Sequence, residues 1–128
     1  MSRLSEHLAP NEERAIEAFV QRLVADFGQD VTDVRLFGSK VRDEASSDSD
    51  VDILVLVGRS DYALKHAILW LAAEISLTYE TLLNPRVVPL EAWQKMGRAD
   101  TLFYRTVCVE SVPLLTPSRA TTTTAPRT

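Results

Sequence analysis

The sequence lacks several features that would mark a specialised class of protein. Its single cysteine, Cys108, excludes a disulfide within the chain, which fits a reducing compartment. No apolar run is long enough to cross a bilayer, and residues 1–10 have no apolar segment of the kind that a secretory signal contains. The net charge is −4, so no basic excess indicates a groove for nucleic acid. We therefore expect a soluble, cytoplasmic protein that does not contact a membrane and carries no strong nucleic-acid signal.

The composition that remains is that of one small globular domain. Of the 128 residues, 45% are hydrophobic and 25% are charged, which is enough for a modest buried core. We predict a flexible arm over residues 1–10 and a folded domain over residues 11–115. Residues 116–128 are dominated by Thr, Pro, Ser and Ala, so we predict a disordered tail.

Hydrophobic periodicity within the domain alternates between helix and strand. The pattern predicts an amphipathic helix from Pro10, strands over 31–37 and 53–57, a long helix over 62–78, a third strand over 81–88, two short helices and a short final strand. Pro85 lacks a backbone donor, so we expect the third strand to lie at a sheet edge or to carry a bulge.

Three side chains near the ends of this pattern carry further expectations. The apolar neighbours of Cys108 indicate a small core residue. Leu102 is predicted to face the core from the last helix. Trp70 lies on the outer side of the long helix, which is apolar almost all round and therefore either deeply packed or covered by a partner.

One stretch in the middle of the chain combines two chemical features. Gly38 can turn the backbone sharply and let a ligand approach closely, and Ser39 is a favourable N-cap for a short helix whose free N–H groups suit a phosphate. Asp50 and Asp52 open the next strand, where alternation directs both carboxylates to one face. Mg²⁺ prefers such oxygen ligands and is often held by one or two carboxylates together with substrate phosphates.

An Asp-x-Asp pair alone could equally be a polar strand entrance in a solvated loop. The glycine–serine turn ten residues upstream favours the chemical interpretation. It predicts a phosphate cradle and a metal pair at the ends of two neighbouring strands.

The residues Gly38-Ser39 and Ser49-Asp50-Val51-Asp52 resemble the G-S-x9-S-D-x-D signature of the nucleotidyltransferases related to DNA polymerase β. The short chain resembles the smallest members, the minimal nucleotidyltransferases, which are often encoded beside a HEPN-domain protein. The resemblance covers about residues 11–115. It implies an α/β fold, with a small mixed β-sheet and helices packed mainly on one face.

The resemblance also implies a division of roles within the signature. Asp50 and Asp52 would be the catalytic, Mg²⁺-binding pair. Gly38 and Ser39 would bind ATP, the nucleotidyl donor.

Two further positions complete the expected nucleotide site. Ser49 would orient the loop on the metal side. Arg42 matches a common basic position and would either reach a phosphate or pair with Asp43 or Glu44; the sequence leaves both interpretations open.

The function implied by the resemblance is Mg-dependent transfer of AMP from ATP to an acceptor hydroxyl. A tyrosine of a HEPN toxin is one such acceptor, which would make the protein an antitoxin. An antibiotic-modifying enzyme is the weakest alternative, because those enzymes usually carry an extra substrate domain. Homo-oligomer formation is left open.

Two departures from the family pattern favour a second hypothesis. Asp43 stands where a glycine is usual, and the third strand carries no third carboxylate at its inward candidates, Asn84, Arg86 and Val88. Glu80 precedes that strand with uncertain spacing. The alternative is therefore a catalytically impaired binding module that neutralises a HEPN partner by forming a complex.

Overall fold

A computed structural model describes residues 8–42 and 50–115 of the chain. The elements in chain order are α1 (Pro10–Phe27), β1 (Val31–Phe37), α2 (Ser39–Arg42), β2 (Val51–Val57), α3 (Tyr62–Tyr79), β3 (Leu83–Pro89), α4 (Leu90–Arg98), α5 (Leu102–Glu110) and β4 (Val112–Pro113). The predicted arm, apart from residues 8–10, and the predicted tail lie outside the described residues, as does the segment 43–49.

The four strands form one mixed sheet in the order β3-β2-β1-β4. β1 pairs antiparallel with both β2 and β4, whereas β2 and β3 run parallel. The two strands of the motif therefore lie side by side at the centre of the sheet. β3 lies at an edge, where Pro85 is tolerated because the missing N–H need not serve a second neighbour.

The larger core lies on one face of the sheet, beneath the two 18-residue helices α1 and α3. We call this the larger face. Its fully buried side chains include Phe19 and Leu23 of α1, Ile53 of β2 and Ile68 of α3. Burial of such side chains is worth about 1.5–3 kcal/mol each, so this layer supplies most of the hydrophobic stabilisation.

A smaller cluster lies on the opposite face, which we call the smaller face. Leu54 and Leu56 of β2 pack there with Val88 and with Val107 of α5. Partly buried aromatic side chains of α4 and α5 surround this cluster. The α/β prediction is confirmed: the sheet is small and mixed, the long helices share one face, and two nine-residue helices cover part of the other.

The ends of α3 are fixed by local hydrogen bonds. The Asp61 carboxylate accepts a hydrogen bond from the backbone N–H of Leu64 at 3.1 Å. That bond and the neighbouring guanidinium of Arg59 lower the pKa of Asp61. At the other end, the Asn11 amide donates to the carbonyls of Tyr79 and Glu80, at 3.1 and 3.2 Å, and so ties the start of α1 to the end of α3.

Two of the core assignments on α5 are wrong. Cys108 is exposed, and the Leu102 side chain is 72% exposed. The short helix turns only one narrow side towards the sheet, and Val107 alone among its residues is buried. Trp70 does lie on the outer side of α3, with 71% of its surface exposed.

None of the helices in residues 8–42 and 50–115 combines the length and the hydrophobicity that a membrane crossing requires.

Candidate active site

Asp52 is the second residue of the central strand β2, which lies between β1 and β3. Phe37, the last residue of β1, is its register partner on one side, and Asn84 of β3 is its partner on the other. Strand alternation directs Asp52 to the same side as Leu54. The carboxylate therefore lies on the smaller face, beyond the edge of the small apolar cluster.

Gly38 allows the backbone to pass directly against this carboxylate. Its φ is +87°, a conformation that side-chain-bearing residues rarely adopt. A Cβ placed there would collide with an Asp52 carboxylate oxygen and would lie 3.2 Å from Asp52 Cγ. Close approach and backbone conformation thus both require glycine, and they join the turn to the acidic strand as one structure.

Asn84 holds the other oxygen of the same carboxylate. Its amide nitrogen Nδ2 donates to Asp52 Oδ1 at 2.9 Å. The other two inward candidates lie farther along the same face of β3 and contact other groups. Arg86 stacks on Phe103, with 4.5 Å between its Cζ and the ring centroid, and Val88 is buried. Asn84 is consequently the β3 side chain that contacts Asp52.

The structure brings together only part of the predicted set. Asp50 lies directly before β2 and is partly exposed. Ser39 begins the four-residue helix α2 and Arg42 ends it, but the described structure does not include the side chains of these two residues. Ser49 and Asp43 lie outside the described residues, so their predicted roles remain predictions.

A buried ion pair fixes α2, which follows the turn. Lys40 Nζ lies 2.7 Å from Glu12 Oε2, and the two side chains are only 3% and 6% exposed. The second oxygen of Glu12 accepts the backbone N–H of Ala9 at 2.9 Å. The first turn of α1 is thereby bonded to the helix of the motif, 28 residues away in sequence.

The residues present fit a single hard cation. Asp50 and Asp52 supply two carboxylates at the start of β2, and one or two carboxylates with substrate phosphates is the usual Mg²⁺ set. Within residues 8–42 and 50–115, no group of three or more His, Cys, Asp or Glu side chains could hold a metal. This part of the chain therefore offers the cation two carboxylates, and substrate phosphates or water would complete such a set.

Comparison with known families assigns the chain to a family. A profile described as "Nucleotidyltransferase domain" matches residues 14–107, which include the turn, the acidic pair and Asn84. The chain belongs to the nucleotidyltransferase family. The resemblance inferred from the signature is therefore confirmed.

Relatives of this nucleotidyltransferase support the assignment over most of its length. A protein of Methanocaldococcus jannaschii named "Putative protein adenylyltransferase" is 32% identical over 100 residues, 78% of this chain and 94% of the relative. A solved structure described as a "putative minimal nucleotidyltransferase" is 28% identical, with a TM-score of 0.52, covering 84% of this chain and 98% of the other.

A third match extends the likeness of fold. A crystal structure of a toxin–antitoxin with AMP-PNP shares 20% identity and a TM-score of 0.53, over 87% of this chain and 82% of that one. At this identity the match shows a common fold.

The nucleotidyltransferase site contains one contact that sequence patterns do not indicate. Glu12 lies in the first turn of α1, where an acid is favourable for local reasons, and no spacing rule links it to Lys40. Asn84 was one of three inward candidates, and parallel pairing of β2 and β3 in the observed register is what selects it.

Proposed function

We propose that this nucleotidyltransferase transfers AMP from ATP to an acceptor hydroxyl and that the transfer depends on Mg²⁺. The observation that carries the proposal is the contact between the Gly38 turn and the Asp52 carboxylate. It unites a close backbone approach with an anionic metal ligand on adjacent strands. Similarity to a protein named as an adenylyltransferase supports AMP as the group transferred.

The proposed roles are those that the family resemblance implies. The turn at Gly38 and Ser39 would receive the triphosphate, with Arg42 and Ser49 assisting from the flanking segments. Asp50 and Asp52 would hold Mg²⁺ against the phosphates. When bound, the cation would stabilise charge on the α-phosphate and on the leaving pyrophosphate. The acceptor oxygen would form the new bond to the α-phosphorus as the bond to pyrophosphate breaks, and the hydroxyl proton would pass to water.

The proposed partner is a HEPN-domain protein in the cytoplasm, with a tyrosine as the acceptor and an antitoxin role for this chain. A similar fold in a toxin–antitoxin structure with AMP-PNP supports a toxin–antitoxin role and a nucleotide substrate. The single cysteine fits a reducing compartment.

A second candidate function is neutralisation of the partner by binding alone. Two observations favour it: Asn84, a neutral residue, is the β3 side chain hydrogen-bonded to Asp52 on a strand without a carboxylate, and Trp70 presents 71% of its surface on α3. An exposed tryptophan is typical of interfaces, where it contributes strongly to binding.

The deciding experiment titrates MgATP calorimetrically into the wild type and into Asp50→Asn and Asp52→Asn. Binding should require Mg²⁺ and should weaken at least tenfold in both variants. Glu74→Gln is the matched control, because it removes one exposed negative charge from α3 without touching the site.

Transfer is then measured by mass spectrometry of a candidate HEPN-domain partner protein, after incubation with ATP. Addition of one AMP by the wild type and not by Asp52→Asn supports the enzyme. Undiminished transfer by Asp52→Asn contradicts the assigned role. A stable complex without MgATP binding or transfer favours the binding module.

A further inference from the structure

The neutral side chain at position 84 distinguishes this site from the acidic triad that the signature leads one to expect. Asp52 and Asn84 are register partners on parallel strands, and such strands lie about 4.8 Å apart. The 2.9 Å hydrogen bond between them confirms that the two side chains share one face and meet directly. A carboxylate at position 84 would therefore stand directly beside Asp52.

The direction of the hydrogen bond determines what Asn84 can offer to a cation. An ionised carboxylate only accepts hydrogen bonds, so the amide nitrogen must face Asp52. Asn84 Nδ2 therefore donates to Oδ1 of Asp52, and the amide can offer a cation only its neutral carbonyl oxygen. The other Asp52 oxygen, Oδ2, is the one that lies against Gly38, beside the turn.

The charges of these side chains also favour a single cation. Asp50 and Asp52 are the carboxylates that the described residues offer to a cation at this end of β2. Two-metal sites hold a pair of cations about 3.5–4 Å apart and need shared ligands to offset their mutual repulsion. An amide adds no negative charge. The other inward residue near this end of β3, Arg86, is a cation that stacks on Phe103.

We infer that Asn84 restricts this site to one divalent cation, bound with the nucleotide, and that a carboxylate at position 84 would create a second cation site. The inference deepens the proposed function and rests on it for the identity of the nucleotide. It also implies that no residue of β3 acts as a base towards the acceptor.

The test counts bound Mn²⁺, a paramagnetic probe for Mg²⁺, by electron paramagnetic resonance of the free ion. The full chain is titrated with Mn²⁺ alone, and then with one equivalent of a non-hydrolysable ATP analogue. With the analogue, the wild type should bind one Mn²⁺ per chain and Asn84→Asp should bind two. Without it, Asn84→Asp should bind Mn²⁺ at least tenfold more tightly than the wild type.

Asn84→Ala is the matched control, because it removes the hydrogen bond to Asp52 without adding charge. It should bind one Mn²⁺ with the analogue, and without the analogue it should bind no more tightly than the wild type. Because Asn84 is exposed, we expect the variants to fold, which far-UV circular dichroism checks. Asn84→Glu provides a second carboxylate variant.

Two Mn²⁺ in the wild type, or equal Mn²⁺ affinity of the wild type and the carboxylate variants, would overturn the inference. Failure of the proposed function has a different signature, because the wild type would then not bind the analogue. In that case the titrations without nucleotide still decide: tighter binding by Asn84→Asp supports the inference and unchanged binding refutes it.

Discussion

The two faces of the sheet differ in what they contribute, although both are built from the same strand. Val51, Ile53 and Val55 of β2 enter the large core beneath α1 and α3. Asp52 and Leu54, the residues between them, point to the smaller face, where the apolar cluster has only four buried members. A thick core on one side thus holds β2 firmly enough for the other side to carry a carboxylate near its edge.

This difference teaches that stability and ligand binding should be separable by substitution. Changes on the larger face should lower the free energy of unfolding and leave the site of the folded protein intact. Changes around Gly38 should weaken ligand binding strongly and lower the free energy of unfolding only modestly. The predictions below test that separation.

The largest loss of stability is expected for Phe19→Ala. Phe19 is fully buried beneath the larger face, and truncation of such a side chain costs about 3–5 kcal/mol through lost burial and cavity formation. Urea denaturation measures the loss, and the exposed Glu17→Ala change in the same helix is the control. The MgATP affinity of the folded molecules should be unchanged. A tenfold fall in that affinity would show that packing on the larger face also determines binding on the smaller face.

Lys40→Met should have the next largest effect, because it leaves Glu12 buried without its cationic partner. Loss of one member of a buried pair costs about 3 kcal/mol or more. Neutralising both residues together, as Glu12→Gln with Lys40→Met, should restore much of the stability.

The double change also separates stability from positioning. If the ion pair places α2 for the nucleotide, MgATP binding by the double variant should remain weaker than wild type even after its stability recovers. Wild-type affinity in that variant would mean that the turn holds its position without the pair. Calorimetry and urea denaturation on the same samples provide both quantities.

Gly38→Ala should affect binding more than stability, the opposite of what we expect for Phe19→Ala. The positive φ costs an alanine about 1–2 kcal/mol, but its methyl group would also displace the Asp52 carboxylate. We therefore expect a modest loss of stability and a loss of MgATP binding of at least tenfold. Gly58→Ala is the control, because the nearest atom to a Cβ there is the Asp30 carbonyl oxygen at 4.0 Å. Retained binding in Gly38→Ala would separate the turn from the site.

Sequence analysis predicted those parts of the site that depend on residues close together in the chain. The turn at Gly38 and the strand that begins beside Asp50 follow from local backbone preferences and alternation, and the family signature places them together. The Lys40–Glu12 pair could not be predicted, since it depends on how α1 packs across the sheet. Leu102 and Cys108 were misjudged for a related reason: hydrophobicity indicates a buried helix face but does not indicate how little of a short helix the sheet covers.

The smallest predicted effect concerns acid sensitivity far from the site. The Leu64 N–H, followed by Arg59, lowers the pKa of Asp61 in the folded protein. A lowered folded pKa means that the stabilisation is complete above the unfolded pKa of about 3.9. It is then lost as the pH falls through the folded value. Asp61→Asn is the informative variant, because asparagine caps a helix about as well as aspartate but does not titrate.

Thermal melts of the two proteins between pH 7 and pH 2.5 should therefore show a constant difference above about pH 5 that shrinks below pH 4. A difference that stays constant down to pH 2.5 would mean that the cap does not depend on ionisation of Asp61. MgATP affinity at pH 7 should be the same in both proteins, because Asp61 lies at the opposite end of β2 from Asp52. A difference in affinity would show that the cap of α3 affects nucleotide binding at the other end of β2.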